Sequence, residues 1–435
     1  MKRKQILCLA LAALLLLGCM TGCASSQDPT TQAPKEETMT NDPKPKQETP
    51  APAVPLSAIT NAKPLGFNAF DNQLVEYLKQ AGLADENFTV SPLSFKAALA
   101  MAALGAEGET QTQLLSAMGF QSADELRAWY ATVLDGTDSF EAFFEMVKEY
   151  GDPNDEALGA AAYRVVNSVW SNRDLPGEFR EGFLEDIAKT CRAEAQSVPA
   201  AELGEAVNTW AKEQTKGLIP RILDDPEDAA GVSAILVNAL YLKSGWENHF
   251  RKLGDRDFTT RAGETVQKPF MTQTEQMRYY KDEQTQIVSV PLQGGVSMLF
   301  VLGDDSGLAE KLPKAEYKLV ELSVPMFDVE TALTNRELVN YLRLMGCEKM
   351  FSKTEAEFDP MYSDELYVDD IIQKAKVHID EKGLEAAAVT AIMEKSMGVA
   401  EPETPERFCA DRPFSFYVVM DGENPELLFW GQIVK

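Results

Sequence analysis

The chain is poor in histidine, cysteine and basic residues. Its 435 residues include 2 histidines and 6 cysteines, and 41 Lys and Arg residues stand against 68 Asp and Glu residues. The formal net charge of -27 excludes the basic surface with which a nucleic-acid-binding protein replaces phosphate counterions. We therefore expect no nucleic-acid partner.

The two histidines leave little material for acid–base catalysis. A Ser–His or Cys–His mechanism would have to use His249 or His378 as its general base. His249 lies beside aromatic residues in GWENHF, and His378 lies in KAKVHIDEKG, which is typical of a strand. A Gly-x-Ser-x-Gly motif and a phosphate-binding glycine loop are also missing. These absences predict that the chain is not an enzyme and has no catalytic residues, and an exported hydrolase is the weakest alternative.

Three cysteines, Cys191, Cys347 and Cys409, remain outside the N-terminal region. They are odd in number and widely spaced, so they predict neither a disulfide framework nor a metal site. We expect small buried hydrophobic side chains, with no metal and no cofactor.

The first 22 residues have the composition of a secretory signal. Three basic residues precede an apolar stretch, residues 6–17, that is too short to span a bilayer as a mature helix. Cys23 follows Met-Thr-Gly, which resembles the lipobox of bacterial lipoproteins, and Cys19 follows Leu-Leu-Gly as the alternative. We predict a lipoprotein signal peptide at 1–22 and a lipid on Cys23, whereas an ordinary secretory signal is the other interpretation. The predicted location is extracellular, on the outer face of the cell membrane, with the lipid as the only membrane contact.

Residues 23–56 are rich in Pro, Thr, Lys and Glu and contain almost no large apolar side chains. A segment of this composition cannot bury enough surface to fold by itself. We predict a disordered tether that holds a folded domain, residues 57–435, clear of the membrane.

The folded domain combines helical and strand-like patterns. Phe67, Phe70, Leu74 and Leu78 recur at helical spacing, and Ser91 precedes a proline as the N-cap of a helix that ends at Gly105. Further helices are predicted around 110–118, 176–191, 206–214 and 335–344, and strands at 234–242, 296–303, 317–327, 414–420 and 426–434. Because strands and helices do not alternate regularly, this pattern indicates an α+β domain rather than a doubly wound enzyme.

The segment EKGLEAAAVT, residues 381–390, is rich in very small side chains. Its alanines favour a helix. Read with a period of two, Leu384 and Ala386 would face one way and Glu385 and Ala387 the other, so that one face could enter a sheet. The segment is therefore compatible with a helix or with a strand that inserts into a sheet.

Several motifs together resemble those of the serpins over roughly residues 60–435. The small-residue run falls where serpins place the hinge of their reactive loop. The similar segments are, in chain order, NFTVSPLSFKAALAMAALGAEGETQTQL (87–114), VNTWAKEQTKGLIPRIL (207–223), LVNALYLKSGW (236–246), LYVDDIIQKAKVHIDEKGLEAAAVTAI (366–392), FCADRPFSFYVVM (408–420) and LLFWGQIV (427–434).

The resemblance implies the serpin fold, in which helices pack around three β-sheets and a reactive-centre loop is exposed at about residues 381–405. It also implies an inhibitor that acts as a suicide substrate. A serine protease attacks the loop, forms an acyl-enzyme, and is trapped when the cut loop inserts as a new strand. The expected partners are serine proteases, and the expected state is a monomer.

The resemblance further assigns individual residues. Sixteen residues on from Glu381, the common family spacing, lies the reactive bond Met397–Gly398, which suits elastase-like or chymotrypsin-like proteases, and Lys395–Ser396 is the trypsin-like alternative. The implied hinge consists of Glu381, Gly383, Leu384, Glu385, Ala386, Ala387, Ala388, Val389 and Thr390. The implied sheet-opening residues are Ser91, Ser94, Asn238, Trp246 and Gln373.

Two positions depart from the family pattern. Gln373 stands where many serpins have a histidine, and its amide does not titrate. Leu384 stands where the first inserting side chain is usually Thr or Ser, so its bulk is expected to slow insertion. Leu384, together with Glu394 on the face that would be buried, favours an alternative function. In that case the chain is a non-inhibitory serpin-fold binding protein that is merely cleaved as a substrate.

Overall fold

The computed structural model describes residues 54–60, 67–150, 161–217, 219–223, 225, 233–333, 336–384, 404–422 and 425–435. All of them belong to one compact unit, Pro50–Lys435. The predicted signal peptide and nearly all of the predicted tether lie outside the described residues, so both stay predictions. No helix in the described part of the chain is long and apolar enough to cross a membrane.

Nine α-helices occur in the described residues, and most of those predicted are among them. Short turns of 3₁₀-helix also occur at Leu312–Lys314 and Lys349–Phe351, and a π-helical turn at Lys79–Leu83. The α-helices are α1 (Leu56–Thr60), α2 (Ala69–Leu78), α3 (Pro92–Leu104), α4 (Gly108–Met118), α5 (Ala123–Tyr150), α6 (Glu181–Cys191), α7 (Ala200–Gln214), α8 (Leu308–Lys311) and α9 (Glu337–Leu344).

The described strands account for every predicted strand and add several more. They are β1 (Phe88–Val90), β2 (Ala162–Asn172), β3 (Glu194–Val198), β4 (Ala234–Gly245), β5 (Arg251–Thr259), β6 (Thr265–Lys281), β7 (Thr285–Leu292), β8 (Val296–Gly303), β9 (Glu316–Pro325), β10 (Phe327–Leu333), β11 (Asp370–Ile379), β12 (Gly383–Leu384), β13 (Glu406–Cys409), β14 (Phe414–Met420) and β15 (Glu426–Ile433).

Two sequence predictions need correction, and one long helix was not predicted. The helix expected from Pro176 begins only at Glu181, after a turn in which Gly177 has a φ of 99°. The strand expected at 317–327 is two strands in different sheets, because Pro325 has no N–H and the chain turns at Met326. The 28-residue helix α5 is not among the predicted helices.

The strands form two hydrogen-bonded networks. One has six strands in the order β10-β11-β12-β4-β2-β3. The other has nine, β1-β15-β14-β8-β7-β6-β9-β13 with β5 on β6. The long strand β6 pairs with β5 near its start, from Thr265 to Thr272, with β9 from Phe270 to Tyr279, and with β7 near its end, from Arg278 to Lys281. The described strands therefore form two hydrogen-bonded networks where the resemblance implied three sheets, because β6 pairs with strands at both of its ends. The α+β class is as expected.

Helix α3 is the centre of the core. All of its 13 residues are buried, and it contacts β2, β4 and β15, so it lies between the two networks. Ser91 is its N-cap, since the Ser91 Oγ accepts a hydrogen bond from the Ser94 N–H at 3.2 Å and Pro92 is the first helical residue. This helix covers what we call the inner face of the six-stranded sheet.

Helix α7 covers the lower part of the opposite, outer face. Val207 and Trp210 of α7 form a second apolar cluster with Val237 and Ala239 of β4 and Ile372 of β11. The alternation along β4 therefore puts its odd-numbered residues on the outer face and its even-numbered residues towards α3. The two faces of the sheet are thus identified by what packs against them.

Candidate functional site

The centre of the six-stranded sheet is incomplete. Strands β4 and β11 are parallel and pair directly over only four residues each, Ile235–Asn238 with Asp370–Gln373. Beyond these pairs the two-residue strand β12 lies between them, antiparallel to both. Between the ladder and β12, neither strand has a partner on its central edge among the described residues. This gap is the candidate site.

Strand β12 occupies one end of the gap, which we call the open end because β4 and β11 do not pair directly there. Leu384 pairs with Ile379 of β11 and with Ser244 of β4, and its side chain is 2% exposed. Gly383 pairs with Gly245. The sequence left helix and strand open for this run, and Gly383 and Leu384 are in a strand. Because the Leu384 side chain is already buried there, its bulk is accommodated before any further insertion.

A glycine is required at position 383 by close approach of the backbones. A Cβ built on Gly383 would lie 2.7 Å from the Cα of Gly245 and closer still to the carbonyl oxygen of Ser244. Real Cβ atoms do not sit this close to backbone, so any other residue would push β12 away from β4.

The residues that precede β12 are fastened to the segment that follows β4. The Trp246 N–H donates to the Lys382 carbonyl at 3.0 Å and its indole Nε1 donates to the Asp380 carbonyl at 2.9 Å. The Phe250 N–H donates to the Glu381 carbonyl at 3.1 Å. Trp246 is fully buried at the open end of the gap, where the resemblance places it.

One ion pair adds to this attachment. Lys252 Nζ lies 3.1 Å from Glu381 Oε1. Burial would raise the pKa of Glu381, but its own backbone N–H and the Lys252 ammonium outweigh burial and hold that pKa below its ordinary value. Lys252 was not identified from the sequence, because a lone lysine between exposed residues carries no signal of its partner.

At the opposite, closed end of the gap, where β4 and β11 pair directly, buried polar side chains form hydrogen bonds that connect the strands to neighbouring elements. Gln373 accepts a hydrogen bond from the Ser91 N–H at 3.2 Å and donates from Nε2 to the Ser91 carbonyl at 2.9 Å. Its ladder partner Asn238 donates to Asn167 Oδ1, and Asn167 Nδ2 donates to the Tyr130 hydroxyl at 2.6 Å. The structure therefore brings together Ser91, Asn238 and Gln373, and it adds two residues that the sequence did not identify.

Those two missed residues are unremarkable in the sequence. Asn167 lies in mid-strand and Tyr130 in a long helix, so only their packing together reveals the connection from β4 through β2 to α5. Burial raises the pKa of Tyr130 well above its ordinary value, so its hydroxyl stays protonated. Ser94 lies beside the cluster, but its hydroxyl has no hydrogen-bond partner within the described residues.

Two carboxylates lie just below the ladder. Asp369 Oδ2 accepts from the Ser233 and Ala234 N–H groups at the start of β4, and burial raises the pKa of its carboxyl. Asp370, at the first rung, accepts from the Ile371 N–H at 2.8 Å. Burial raises the pKa of the Asp370 carboxyl to about 6. At neutral pH the Asp370 carboxyl is therefore charged although it is partly buried.

The other predicted site residues lie outside the described residues. They are Glu385, Ala386, Ala387, Ala388, Val389 and Thr390 of the hinge, Met397 and Gly398 with the alternative Lys395 and Ser396, and the candidate lipid sites Cys23 and Cys19. The described chain stops at Leu384 in the six-stranded sheet and resumes at Thr404, just before β13 in the other network. The predicted reactive bond thus lies in a 19-residue connection, residues 385–403, between two sheets.

Neither histidine is placed as a catalytic base within the described structure. His249 is exposed, and His378 Nδ1 lies 3.7 Å from Asp328 Oδ2 on the neighbouring strand. Cys191 and Cys347 are buried as predicted, Cys409 is partly buried, and all three are free. No cluster of metal-ligating side chains occurs in the described ranges.

Comparison with known proteins agrees with this geometry. The family model Serpin (serine protease inhibitor) matches residues 66–435. Serpin B10 of Plecturocebus moloch is 29% identical over 400 residues, which cover 84% of this chain and 97% of that protein. Human plasminogen activator inhibitor 2 is 28% identical over 413 residues, covering 83% and 97%. The crystal structure of human thyroxine-binding globulin complexed with thyroxine superposes with a TM-score of 0.66 at 24% identity. The match covers 87% of this chain and 98% of that chain, and it is a likeness of fold.

A first prediction concerns Gly383. We expect Gly383→Ala to displace β12 from β4, since its Cβ would overlap the backbone of Ser244 and Gly245. A displacement costing about 1–3 kcal/mol would speed amide hydrogen exchange of peptides covering residues 243–247 and 380–384 by a factor of about 5 to 150. The matched control is Gly422→Ala, where an added Cβ meets nothing within 4 Å. Unchanged exchange in Gly383→Ala would mean that close approach does not hold β12.

A second prediction concerns the charge at Asp370. Its folded-state pKa of about 6 exceeds the ordinary aspartate value near 3.9, so the folded chain binds this proton more tightly than the unfolded chain. The burial cost of the carboxylate is absent below about pH 4 and grows as the pH rises through 6.

We therefore expect Asp370→Asn to raise the free energy of unfolding by about 3 kcal/mol at pH 8 and to leave it almost unchanged at pH 4. Denaturant titrations at the two pH values measure this difference, with the exposed Asp359→Asn as the control. A variant less stable than wild type at pH 8 would refute this account. The hydrogen bond that the charged carboxylate accepts from the Ile371 N–H would then stabilise the fold more than burial of the charge destabilises it.

Proposed function

Since the chain belongs to the serpin family, we propose that it is an inhibitor that traps serine proteases covalently by inserting its cleaved reactive loop between β4 and β11. Serpins are generally serine protease inhibitors and not enzymes. The observation that carries the proposal is the gap itself, which β12 enters at its open end while only four residue pairs close the other end.

The register of β12 predicts where the following residues would lie. Pairing of Leu384 with Ile379 and Ser244 puts Ala386 opposite Val377 and Leu242, and Ala388 opposite Ala375 and Leu240, if the strand continues. These β4 and β11 residues are buried on the inner face. Small alanines suit such positions, because a close-packed core has no room for larger side chains.

The trapping chemistry follows the resemblance. The hydroxyl oxygen of the protease serine attacks the Met397 carbonyl, an ester bond forms, and the bond to Gly398 breaks as its amine leaves. An inserted strand from Leu384 to Met397 would extend roughly 45 Å, at about 3.3 Å per residue, and would carry the acylated protease with it. Inhibition then depends on whether insertion is faster than hydrolysis of the ester. Methionine at the acylated position suits an elastase-like or chymotrypsin-like protease, and Lys395–Ser396 would suit a trypsin-like one.

Insertion also has an identifiable obstacle. Beyond Val389 the strand must replace the ladder, with Thr390 opposite Gln373 and Asn238. Four residues further, Glu394 would lie opposite Asp369, so a second carboxylate would enter a buried position beside the first. This contact favours the alternative function, a non-inhibitory serpin-fold binding protein cleaved only as a substrate. Thyroxine-binding globulin shows that a ligand-binding protein also has this fold.

The test mixes the purified protein with elastase-like, chymotrypsin-like, trypsin-like and subtilisin-like proteases. We expect a complex that survives a denaturing gel, a new N-terminus at Gly398, and a higher melting temperature after loop cleavage. Ala388→Gln, on the inward face, should lower the yield of complex several-fold, because an amide would be buried without a partner. Ala387→Gln, on the outward face, is the matched control and should retain the yield. Cleavage by every protease without any complex would support the alternative, and a new N-terminus at Ser396 would move the reactive bond.

The same proposal places the protein outside the cell, anchored by a lipid on Cys23. It is supported by the basic N-terminus, the apolar stretch and the Met-Thr-Gly-Cys motif. An extended tether of 33 residues, 24–56, would reach roughly 100 Å from the membrane, which leaves a soluble protease free access.

Labelling with a fatty acid during expression in a bacterium that lipidates exported proteins tests the anchor. We expect the label in the wild type and in Cys19→Ser, and its loss in Cys23→Ser. The reverse pattern would assign the lipid to Cys19, and an unlabelled wild-type protein would leave only an ordinary secretory signal.

A further inference from the structure

Basic side chains flank β12 on the outer face of the six-stranded sheet. Lys243 of β4 lies between the inward Leu242 and Ser244, which are 3% and 0% exposed. His378 of β11 lies between the inward Val377 and Ile379, which are 1% and 0% exposed. By alternation, Lys243 and His378 point to the outer face, one on each side of the gap.

The register of β12 predicts which residue of an inserted loop would lie opposite these two side chains. Leu384 is opposite Ser244 on one side and Ile379 on the other, so one step of antiparallel pairing puts residue 385 opposite Lys243 and His378. Residue 385 is a glutamate. Directly opposite side chains on neighbouring strands lie about 5 Å apart at Cβ, which is within reach of an ion pair.

The next four outward positions of an inserted strand carry no charge. They are Ala387, Val389, Ala391 and Met393. The first two would face Lys376 and Lys374 of β11, which already have partners on β10. Lys376 Nζ lies 3.5 Å from Asp328 Oδ2, and Lys374 Nζ lies 2.9 Å from Glu330 Oε1. Only at Glu385 does the inserting strand bring a charge to this face before residue 395.

Lys243 has an unbalanced charge in the intact protein. It makes no hydrogen bond or ion pair with any residue that the structure describes, whereas Arg164 on the adjacent strand is 3.8 Å from Glu141 and Lys148 is 2.6 Å from Glu145. Burial lowers the pKa of nearby Lys216, and the positive charges of Arg164, Lys148 and Lys243 lower it further, with Glu141 opposing them. A carboxylate at this place would relieve a local excess of positive charge in a chain of net charge -27.

We propose that Lys243 and His378 form a receiving site for the carboxylate of Glu385. This contact holds the first outward-facing residue of the inserting loop and favours insertion of the loop over release of the protease. This inference rests on the proposed function. His378 contributes less than Lys243, because Asp328 already lies 3.7 Å from its Nδ1. Both are positioning residues, since neither touches the reacting bond.

The expected effect is that of a partly exposed ion pair, about two- to fivefold in an equilibrium or rate. Lys243→Gln and Glu385→Gln should each raise the number of inhibitor molecules consumed per protease inactivated by about this factor. The double variant should be no worse than either single variant, since both remove the same interaction. Lys243→Arg should restore the wild-type value.

The matched control is Lys376→Gln, which removes a cation from the same face at a position that would face Ala387. Its effect on the number of inhibitor molecules consumed per protease should be independent of the effect of Glu385→Gln, so the two free-energy changes should add in the double variant. Melting of each intact variant shows whether the substitution harms the starting fold. The melting temperature of each loop-cleaved variant provides a second readout that does not require inhibition.

The outcomes separate this inference from the proposed function. A wild-type protein whose melting temperature does not change on loop cleavage would overturn both, because the strand would not insert. A wild-type protein that is stabilised by cleavage, with Lys243 and Glu385 acting additively, would overturn only the receiving site. Equal coupling of Glu385 to Lys376 and Lys243 would also overturn it, since a general charge effect would then suffice. Coupling confined to Lys243, with rescue by arginine, supports it.

Discussion

The rest of the structure depends on the short direct pairing between strands β4 and β11. Four residue pairs join them directly, and beyond that ladder, within the part of the chain that the structure describes, their facing edges meet only the two residues of β12. Backbone N–H and C=O groups need partners, and an open strand edge is a template for another strand. The sheet is therefore incomplete at its centre rather than at its border. Every residue of the candidate site lies at one end or the other of this gap.

The two ends are held by different chemistry. The closed end uses buried hydrogen bonds through Gln373, Asn238, Asn167 and Tyr130, and breaking these would leave buried polar groups without partners. At the open end, backbone hydrogen bonds to Trp246 and Phe250 combine with a partly exposed ion pair. Exposed ion pairs contribute little to the free energy of folding. A strand that enters from the open end therefore meets the weaker fastening first and the polar cluster last.

Local signals account for the elements that the sequence predicted. Helix α3 has an N-cap, a proline at its first position and an apolar surface all round, and β4 is apolar along almost its whole length, so both could be read directly. Helix α5 is a continuous amphipathic helix, but its sequence contains Gly136, which has a low helix propensity, and the helix was not predicted. Asn167, Tyr130 and Lys252 were missed because a side chain that acts through a distant partner looks like any other polar residue until the chain folds.

The sequence by itself determined the α+β class, the lack of a catalytic base in a plausible setting, and a run of small residues able to enter a sheet. It also carried the family resemblance, because a motif is a local property. Only the tertiary structure decided that Leu384 is already inside the sheet and that Gly383 is needed for close approach. Only the register of β12 suggested the proposal that an inserted Glu385 would meet Lys243 and His378. Register joins segments about 140 residues apart, and it is set by the packing of both faces of the sheet. Local propensity contains no information about such pairing, so the charge that faces the inserting strand could be found only in the folded molecule.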